Sequence, residues 1–340
     1  MAGRTLLQLP DGARDLVLRT SHFAQRTLVG ADHLQPVTAS ATAAPFSTTV
    51  PITAPGGTTL DQLRTVFESW SVNGEPSGHM KGYLDDSFWR FLHTLGLVAG
   101  RAGTCLELGA NPYFTTYLLM EHSALDLTLA NFYGDQGRGT RTKEVLRYIN
   151  MDGAPVEHLL ESDLFNIEED RFPYDDDSFD IVLFCEIIEH LLTDPVKVLG
   201  EIRRVLKPSG TLVLTTPNVC RLGNVFSIIA GANVYDPYSG FGPYGRHNRE
   251  FTRHELHILL EFLGFDVETS FTADAHPADY QHQASFDSVA NLVRFRQHDL
   301  GQYLFVRAIA ARPPRHGLPD LFYRSWPEGS IVPTIEAPLA

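Results

Sequence analysis

The sequence lacks the features that mark membrane, secreted and nucleic-acid-binding proteins. No apolar run approaches the ~20 residues that a helix needs to cross a bilayer. The first residues, with Arg4 and Asp11 beside a short apolar patch, do not resemble a signal peptide. The 27 Lys and Arg residues are outnumbered by 41 Asp and Glu and form no cluster that would bind phosphates. We therefore expect a cytoplasmic protein with no membrane span and no nucleic-acid partner, acting on a neutral or cationic small molecule.

Cysteine is also scarce. The chain has three cysteines, Cys105, Cys185 and Cys220, which are far apart in sequence. Two of them lie in apolar, strand-like runs, and this favours buried reduced thiols over a disulfide or a zinc site.

The organisation of the chain changes along its length. Short β-like runs and a stretch rich in Thr, Ala, Pro and Gly predict a β-rich arm and linker over residues 1–60. Apolar residues recur at helical spacing over 61–100, which predicts two lid-like helices. Residues 313–340 form a tail rich in Pro and aromatic residues. The arm and the tail are candidate contacts for a homo-oligomer.

Strands and helices are predicted to alternate over residues 101–312. Short apolar segments separated by amphipathic ones are typical of βαβ units, and so of a parallel sheet covered on both faces. The predicted strands are 104–108, 125–130, 179–185, 211–215, 265–271 and 303–308. The predicted helices are 114–121, 142–148, 195–205 and 253–263. The last two strands lack a clear helix between them, so we expect them to be antiparallel.

The strongest local signal follows the first of these strands, in the segment CLELGANPYFTT from Cys105 to Thr116. A strand ends in a tight turn there and a helix begins at once. Gly109 lets the backbone pass close to a ligand, and the helix start offers unpaired N–H groups. Such a turn is where an α/β sheet binds a nucleotide-like ligand, with Glu107 placed to hold an amine or a hydroxyl. By itself, the segment is also consistent with a simple tight turn and a solvated strand end.

Segments further along the chain support the ligand interpretation. LELGANP at 106–112, Asp163, FDIV at 179–182, EIIEHL at 186–191 and LKPSG at 206–210 resemble, in order and spacing, the class I S-adenosylmethionine-dependent methyltransferase family. The resemblance covers roughly residues 100–310. It implies S-adenosyl-L-methionine as the cofactor. It also implies a Rossmann-like, seven-stranded, mostly parallel α/β sheet with helices on both faces and a last strand inserted antiparallel.

The resemblance also implies which residues contact the cofactor. They are Glu107, Gly109, Ala110, Asn111, Asn131, Asp163, Leu164, Cys185 and Glu186, the last two facing the methionine part and the acceptor. Asn111 and Tyr113 replace two glycines of the family's turn. Asn131 stands where the family has an acid for the ribose hydroxyls, although an amide can still accept and donate. Asp163 and Leu164 match the loop that pairs with the adenine amino group.

Two acidic segments also have a structural interpretation. Asp163 lies in an acidic stretch that a solvated loop would explain almost as well. The run from Asp175 to Asp177 directly precedes a strand and is interpreted as a solvated turn. No carboxylate group has a clear ligand spacing, so the sequence predicts no metal site.

Methyl transfer to a hydroxyl requires alignment of the acceptor and removal of its proton. His190 and His247 are the candidate bases, and Glu250 is placed to orient His247. For His190, packing at a helix start is the structural alternative. A Gly-rich and aromatic insertion at about 218–252 is predicted to form the acceptor wall.

The acceptor itself is less well specified. Residues 216–218 and 245–252 resemble methyltransferases of bacterial sugar and polysaccharide biosynthesis, which implies O-methylation of a hydroxyl on a sugar, glycolipid or related small molecule. Four aromatic residues of the insertion would either stack on a saccharide or form the core of the insertion: Tyr235, Tyr238, Phe241 and Tyr244. Two alternatives stay open. One is an N- or C-methyltransferase acting on a natural-product or quinone-like molecule, and the other is a catalytically inactive, cofactor-binding partner protein.

Overall fold

A mixed β-sheet runs through the part of the chain that the computed structural model describes, residues 52, 54–276 and 294–334. Its strands are β1 (Ser71–Val72), β2 (Ala102–Leu108), β3 (Ala124–Asn131), β4 (Arg141–Ile149), β5 (Pro155–Leu164), β6 (Phe179–Cys185), β7 (Leu206–Pro217), β8 (Phe265–Ala273) and β9 (Tyr303–Ala310). Two further short strands, β10 (Leu318–Pro319) and β11 (Ile331–Val332), pair with each other. The predicted β-rich arm lies largely outside the described residues.

Six α-helices accompany these strands within the described ranges. They are α1 (Leu60–Glu68), α2 (Lys81–Leu97), α3 (Phe114–His122), α4 (Pro195–Val205), α5 (Leu222–Ile229) and α6 (Arg253–Phe262). α1 and α2 lie where the helical spacing predicts two helices. None of the described helices is both long and apolar enough to cross a membrane.

The strand order is β1-β4-β5-β3-β2-β6-β7-β9-β8. The neighbours from β5 to β7 are parallel. β9 lies between β7 and β8 and is antiparallel to both, which confirms the expected antiparallel pair. The Rossmann-like α/β sheet is therefore confirmed. Within the described residues the sheet has nine strands instead of the predicted seven, because β1 and β4 extend it antiparallel beyond β5.

The predicted helix at 142–148 is wrong, because this segment is strand β4. β4 pairs antiparallel with β5 from Arg141 opposite Asp163 to Ile149 opposite Pro155. The buried positions of β4 alternate, as a half-buried strand requires. The turn between β4 and β5 contains Asn and Gly residues that are typical of hairpin turns. Asn150 Oδ1 accepts from two backbone N–H groups, and Gly153 has φ 79°. Asp163 therefore lies in a strand that the sequence did not predict.

An aromatic cluster packs α1, α3 and β4 together behind the Gly109 turn. Trp70 stacks on Phe114 at 5.0 Å and on Tyr148 at 5.4 Å between ring centroids. The indole Nε1 of Trp70 also donates to the backbone oxygen of Pro112, at 2.8 Å. Buried stacked rings of this kind are rigid. The cluster therefore fixes the turn that joins β2 to α3.

The three cysteines are free. Cys105 is buried in β2, and Cys185 and Cys220 are half-buried.

Candidate active site

A cavity of about 200 Å³ opens at the carboxyl ends of β2, β3 and β6. Four of the predicted site residues line it: Gly109, Asn131, Glu186 and His190. Its walls are mainly apolar, and they include Leu108, Ala130, Phe132, Phe165 and Ile187. Glu107 and Asp163 are not among the lining residues. The cavity therefore lies at the carboxyl ends of the parallel strands, with four of the predicted site residues in its lining and Glu107 and Asp163 outside it.

Gly109 forms the floor of this cavity with a backbone that favours glycine. Its φ is +67°, and a Cβ at this position would lie 3.0 Å from Cδ1 of Ile187. The N–H groups of Gly109 and Ala110 both donate to the backbone oxygen of Ala130, at 2.8 and 3.3 Å. The turn is thereby tied to the end of β3.

Asn131, at the end of β3, is held by its own protein neighbours. Its Oδ1 accepts from the backbone N–H of Asn111 at 2.9 Å. Its Nδ2 donates to the hydroxyls of Tyr113 at 3.1 Å and Ser162 at 3.0 Å. Both amide protons are used, so Asn131 can offer a ligand only the remaining lone pair of Oδ1.

Glu144 is a buried acid beside this turn that sequence reasoning missed. Its carboxylate accepts from the hydroxyls of Tyr113 at 2.5 Å and Tyr133 at 2.6 Å, and from Asn73 Nδ2 at 3.0 Å. Tyr113 has φ 73°, a left-handed backbone that is uncommon outside glycine. Burial, with the hydrogen bond to Glu144, raises the pKa of Tyr113 to about 12. Glu144 was missed because the sequence placed it on a helix.

Asp163 faces away from the cavity, towards a separate surface depression. Its Oδ1 accepts from Arg141 Nε at 2.7 Å, and its Oδ2 accepts from the Tyr174 hydroxyl at 2.9 Å. Leu164 lines the same depression. Instead, this segment presents Asn166 to the cavity, and Asn166 Nδ2 donates to the Tyr244 hydroxyl at 3.3 Å. Asp163 was chosen because it matches the family's adenine loop in its position before the strand at 179–185, and that match does not show which side chain of the segment faces the cavity.

Glu107 is buried near the end of β2 and faces α3. Its Oε2 accepts from the Thr116 hydroxyl at 2.7 Å. Burial raises the pKa of Glu107 to about 8, and the hydrogen bond from Thr116 acts in the opposite direction. Burial likewise raises the pKa of the Cys185 thiol to about 12. A cationic group placed here would find an acid able to ionise towards it.

Glu186 directly follows β6 with a left-handed backbone, φ 56°. Its Oε1 accepts from the Thr215 hydroxyl at 2.8 Å, and its Oε2 lies 3.4 Å from a guanidinium nitrogen of Arg90. Both side chains are nearly buried. Burial raises the pKa of Glu186 and the charge of Arg90 opposes this. Arg90 comes from α2, and no sequence pattern connected it with the site.

His247 and Glu250 form a hydrogen-bonded pair. His247 Nδ1 lies 2.9 Å from Glu250 Oε1, and Arg221 is ion-paired with the other oxygen, Oε2. Asp236 Oδ2 accepts from the backbone N–H of His247 at 3.0 Å. Burial lowers the pKa of His247, but the Glu250 hydrogen bond and the Asp236 charge outweigh it, so the net shift is upward.

His190 lies against His247, with ring centroids 5.0 Å apart. The Nδ1 of His190 is 2.9 Å from the backbone oxygen of Arg246. Burial lowers the pKa of His190. The structure thus brings together the two predicted histidines, although one follows β6 and the other precedes α6. His190 ends a short 3₁₀ segment and also faces the cavity.

Glu189 lies beside these histidines and was not predicted as a site residue. It is fully buried, and Thr216 donates to its Oε2 at 2.9 Å. Within the described residues its Oε1 has no hydrogen-bond partner, and it lies 3.9 Å from His190 Nε2. Burial raises the pKa of Glu189 well above its usual range, and the charge of Glu186 raises it further.

The aromatic residues of the insertion differ in exposure. Tyr235 is 81% exposed, Tyr238 93% and Phe241 95%, so these three do not form a core. Tyr244 is partly buried and meets Phe132 edge-on at 5.8 Å. Large exposed apolar side chains that lie close in sequence are typical of binding surfaces.

Residues 141–214 match the family model described as "Methyltransferase domain". This part of the chain is therefore similar to a methyltransferase domain. The match spans β4, β5 and β6 and most of β7, and it includes Glu186, Glu189 and His190. The Gly109 turn and His247 lie outside the matched residues.

A protein of Mycolicibacterium smegmatis (strain ATCC 700084 / mc(2)155) is similar to part of this chain. That protein is described as "Probable S-adenosylmethionine-dependent methyltransferase", and it is 35% identical to this chain over 98 residues. The aligned part is 29% of this chain and 33% of the relative. The chain thus spans about a third of the length of the curated relative that it matches.

Solved structures of methyltransferases are also similar to this chain. The methyltransferase in the Haloferax volcanii complex with the Trm112 activator has a TM-score of 0.44 and 19% identity, covering 69% of this chain and 95% of that chain. A methyltransferase from Thermotoga maritima has a TM-score of 0.40 and 16% identity, covering 68% of this chain and 94% of that chain. Phosphoethanolamine N-methyltransferase 2 of Haemonchus contortus, bound to S-adenosyl-L-methionine, has a TM-score of 0.39 and 11% identity. The match covers 70% of this chain and 59% of that chain.

Proposed function

We propose that this chain is an S-adenosylmethionine-dependent methyltransferase that methylates a hydroxyl of a sugar-like or glycolipid-like small molecule. One observation carries this proposal: a single cavity joins the Gly109 turn to Glu186 and His190, and His190 contacts the His247–Glu250 pair. A ligand-binding turn and a group of proton acceptors thus share one site. The methyltransferase-domain match over residues 141–214 supports the same activity.

The residues of the cavity fit the nucleoside part of this cofactor. Leu108, Ala130 and Phe165 offer apolar walls to a purine ring, and Asn166 offers it an amide. The backbone of Gly109 lies so close to the Ile187 side chain that a Cβ at this position would press on it. The bound cofactor would supply a methyl group on a positively charged sulfonium, and Glu186, which lines the cavity, would place an acidic group near such a charge.

The His247–Glu250 pair suits removal of a hydroxyl proton. Glu250 accepts from Nδ1 of His247, so the neutral ring keeps its lone pair on Nε2. Arg221 fixes Glu250 from the other side. A neutral imidazole oriented by a carboxylate is the arrangement that general-base catalysis uses.

The saccharide acceptor is supported by the exposed rings of the insertion. Tyr235 and Phe241 are almost fully exposed, as is the face of Tyr238 that Arg246 does not cover, and apolar ring faces stack on the C–H faces of sugars. Arg246 lies 4.9 Å from the ring centroid of Tyr238 and adds hydrogen-bond donors for hydroxyl groups. A flat, partly polar ring would meet complementary groups on this surface.

Two measurements test the proposal. Calorimetric titration of the purified chain should show one binding site for S-adenosyl-L-methionine, and NAD serves as the control ligand. Labelled cofactor should then transfer its methyl group to members of a sugar panel, with phenols and amines tested in parallel. Absence of cofactor binding, or binding of NAD in its place, would refute the enzyme class. Methylation of amines alone would refute the hydroxyl acceptor, and cofactor binding without any turnover would favour an inactive partner protein.

A further inference from the structure

We propose that Glu189, His190 and His247 form a binding site for a divalent transition-metal ion beside the cavity. One ligand atom from each of the three side chains lies within 4.8 Å of the others. Two ligands on one ion, each with a bond of about 2.0–2.2 Å, lie no more than about 4.4 Å apart. Small side-chain movements would therefore place all three ligand atoms on a single ion.

An unsatisfied buried oxygen points into this group. Glu189 is fully buried, and its Oε1 has no hydrogen-bond partner among the described residues. This oxygen lies 3.9 Å from His190 Nε2. Buried polar atoms nearly always have a partner, because their desolvation is otherwise uncompensated. A cation between Glu189 and the histidines would supply the partner that the side chains do not.

Both histidines are oriented as metal ligands usually are. The Nδ1 of His190 faces the backbone oxygen of Arg246, and the Nδ1 of His247 faces Glu250 Oε1, each at 2.9 Å. Carbonyl and carboxylate oxygens only accept, so Nδ1 carries the proton in each neutral ring. The lone pairs are then on the two Nε2 atoms. Hydrogen bonds from the second ring nitrogen to such oxygens are characteristic of metal-bound histidines.

The distribution of charge leaves Glu189 as the buried acid without a cationic side chain paired to it among the described residues. Arg90 opposes the neighbouring Glu186, and Arg221 opposes Glu250. Within the described ranges, no Lys or Arg side chain forms an ion pair with Glu189. A divalent ion would provide that charge.

A second group of side chains, Asp236, His247 and Glu250, also has ligand atoms within 4.8 Å of one another. Here the carboxylate oxygens of Glu250 already face Arg221 and Nδ1 of His247. Asp236 accepts from the backbone N–H of His247. These atoms have partners, so they serve better as supports for His247 than as ligands.

Two imidazoles and one carboxylate indicate the class of metal. Such a set favours Mn²⁺, Fe²⁺, Co²⁺ or Zn²⁺ over Mg²⁺ and Ca²⁺, which prefer oxygen ligands alone. Three protein ligands leave coordination positions open for the acceptor. On the basis of the proposed function, an acceptor hydroxyl bound there would release its proton to water more readily, and its oxygen would take the methyl group as the S–CH₃ bond of the sulfonium breaks to leave a neutral thioether. His247 would then be a ligand, and the ion would replace it as the group that activates the hydroxyl.

The test uses the full, untagged chain, stripped of metal and titrated with Mn²⁺, with binding followed by calorimetry and electron paramagnetic resonance. We expect one Mn²⁺ per chain and weaker binding of Mg²⁺. Anomalous diffraction from Mn²⁺-soaked crystals should place the ion between Glu189 Oε1 and the two histidine rings. The variants Glu189→Gln and His247→Gln should each weaken binding about 100-fold or more, and Glu250→Gln, which removes a supporting acid, about 10–100-fold.

The matched control is His79→Gln. His79 is an exposed histidine 3.5 Å from a carboxylate oxygen of Glu75, and its loss should leave Mn²⁺ affinity unchanged. Near-UV circular dichroism checks that each variant folds. If Glu189→Gln does not fold, the position of Mn²⁺ in wild-type crystals decides whether Glu189 is a ligand.

Four results would overturn the proposal. The site is refuted if wild-type protein binds no stoichiometric Mn²⁺ or if Glu189→Gln binds it normally. Tighter binding of Mg²⁺ than of Mn²⁺ refutes the metal class. Full-rate methylation by metal-free protein refutes the catalytic role of the ion. Cofactor titration of the metal-free chain is measured separately, so failure of the proposed methyltransferase function is distinguishable from failure of the metal site.

Discussion

Nδ1 of His247 lies 2.9 Å from Glu250 Oε1, and the other carboxylate oxygen of Glu250 is ion-paired with Arg221. Arg221 directly precedes α5, and His247 and Glu250 lie in the loop before α6. The Glu250–Arg221 pair sets the orientation of the His247 ring without contacting the cavity itself. Variants of His247 should therefore affect the chemical step rather than cofactor binding.

We expect His247→Ala to lower kcat by roughly 10²–10⁴-fold, because proton removal or its metal-assisted equivalent is lost. Cofactor affinity should stay nearly unchanged, since His247 does not line the cavity. Steady-state kinetics with calorimetry measures both quantities, and His79→Ala is the control. Wild-type turnover by His247→Ala would remove this residue from the mechanism, and an equal loss of cofactor affinity would make it a binding residue.

The buried Glu107 should make stability depend on pH. Its pKa is raised by burial from 4.5 to about 8 in the folded protein. Above pH ~4.5 the unfolded chain releases a proton that the folded chain keeps, so the free energy of unfolding should fall as pH rises towards 8. The loss should be on the order of a few kcal/mol, since each pKa unit corresponds to ~1.4 kcal/mol.

Denaturant titrations between pH 5 and 9 measure this loss. Glu107→Gln keeps the shape of the side chain and should flatten the pH dependence, with the variant more stable than wild type above pH ~8. An unchanged pH profile in Glu107→Gln would contradict the assignment of the shift to Glu107.

Gly109→Ala should weaken cofactor binding as well as stability. A Cβ at Gly109 would lie 3.0 Å from Ile187 Cδ1, on the cavity wall, and the φ of +67° is strained for alanine by about 1–2 kcal/mol. The matched control is Gly153→Ala in the β4–β5 turn, where φ is +79° and no atom lies within 4 Å of the added Cβ.

Both variants should therefore lose similar stability, but only Gly109→Ala should lose affinity for S-adenosyl-L-methionine. Thermal unfolding and calorimetry measure the two effects. Equal cofactor affinities in the two variants would argue against a ligand-binding role for the turn.

Glu144→Ala should destabilise the protein by about 1–3 kcal/mol, because Tyr113, Tyr133 and Asn73 would lose their shared acceptor. Cofactor affinity should fall too, since Tyr113 and Asn131 hold the Gly109 turn. Glu157→Ala is the control on the same hairpin. Its exposed ion pair with Arg147, at 2.8 Å, should contribute less than about 1 kcal/mol. Chemical unfolding of both variants tests the difference, and equal losses would contradict the role of the Glu144 network.

Local sequence patterns predicted much of the sheet. The bounds of β6 and α4 agree with the predicted strand at 179–185 and helix at 195–205. In these segments the apolar pattern, the Asp194 cap and Pro195 in the first helical turn indicate the same structure. The segment 142–148 was misassigned because a short apolar pattern fits a helix or a strand until its partner is known, and the partner, β5, was itself missed.

The sequence by itself determined the α/β class, the Gly109 turn and the identity of two histidines near the site, because periodicity and turn chemistry are local properties. Only the tertiary structure decided which distant side chains meet. It turned Asp163 away from the cavity and Asn166 towards it, since their directions depend on the pairing of β5. It also placed ligand atoms of Glu189 and His247 within 4.8 Å of each other. Burial and hydrogen-bond saturation arise from contacts between segments far apart in the chain, and linear spacing does not encode them.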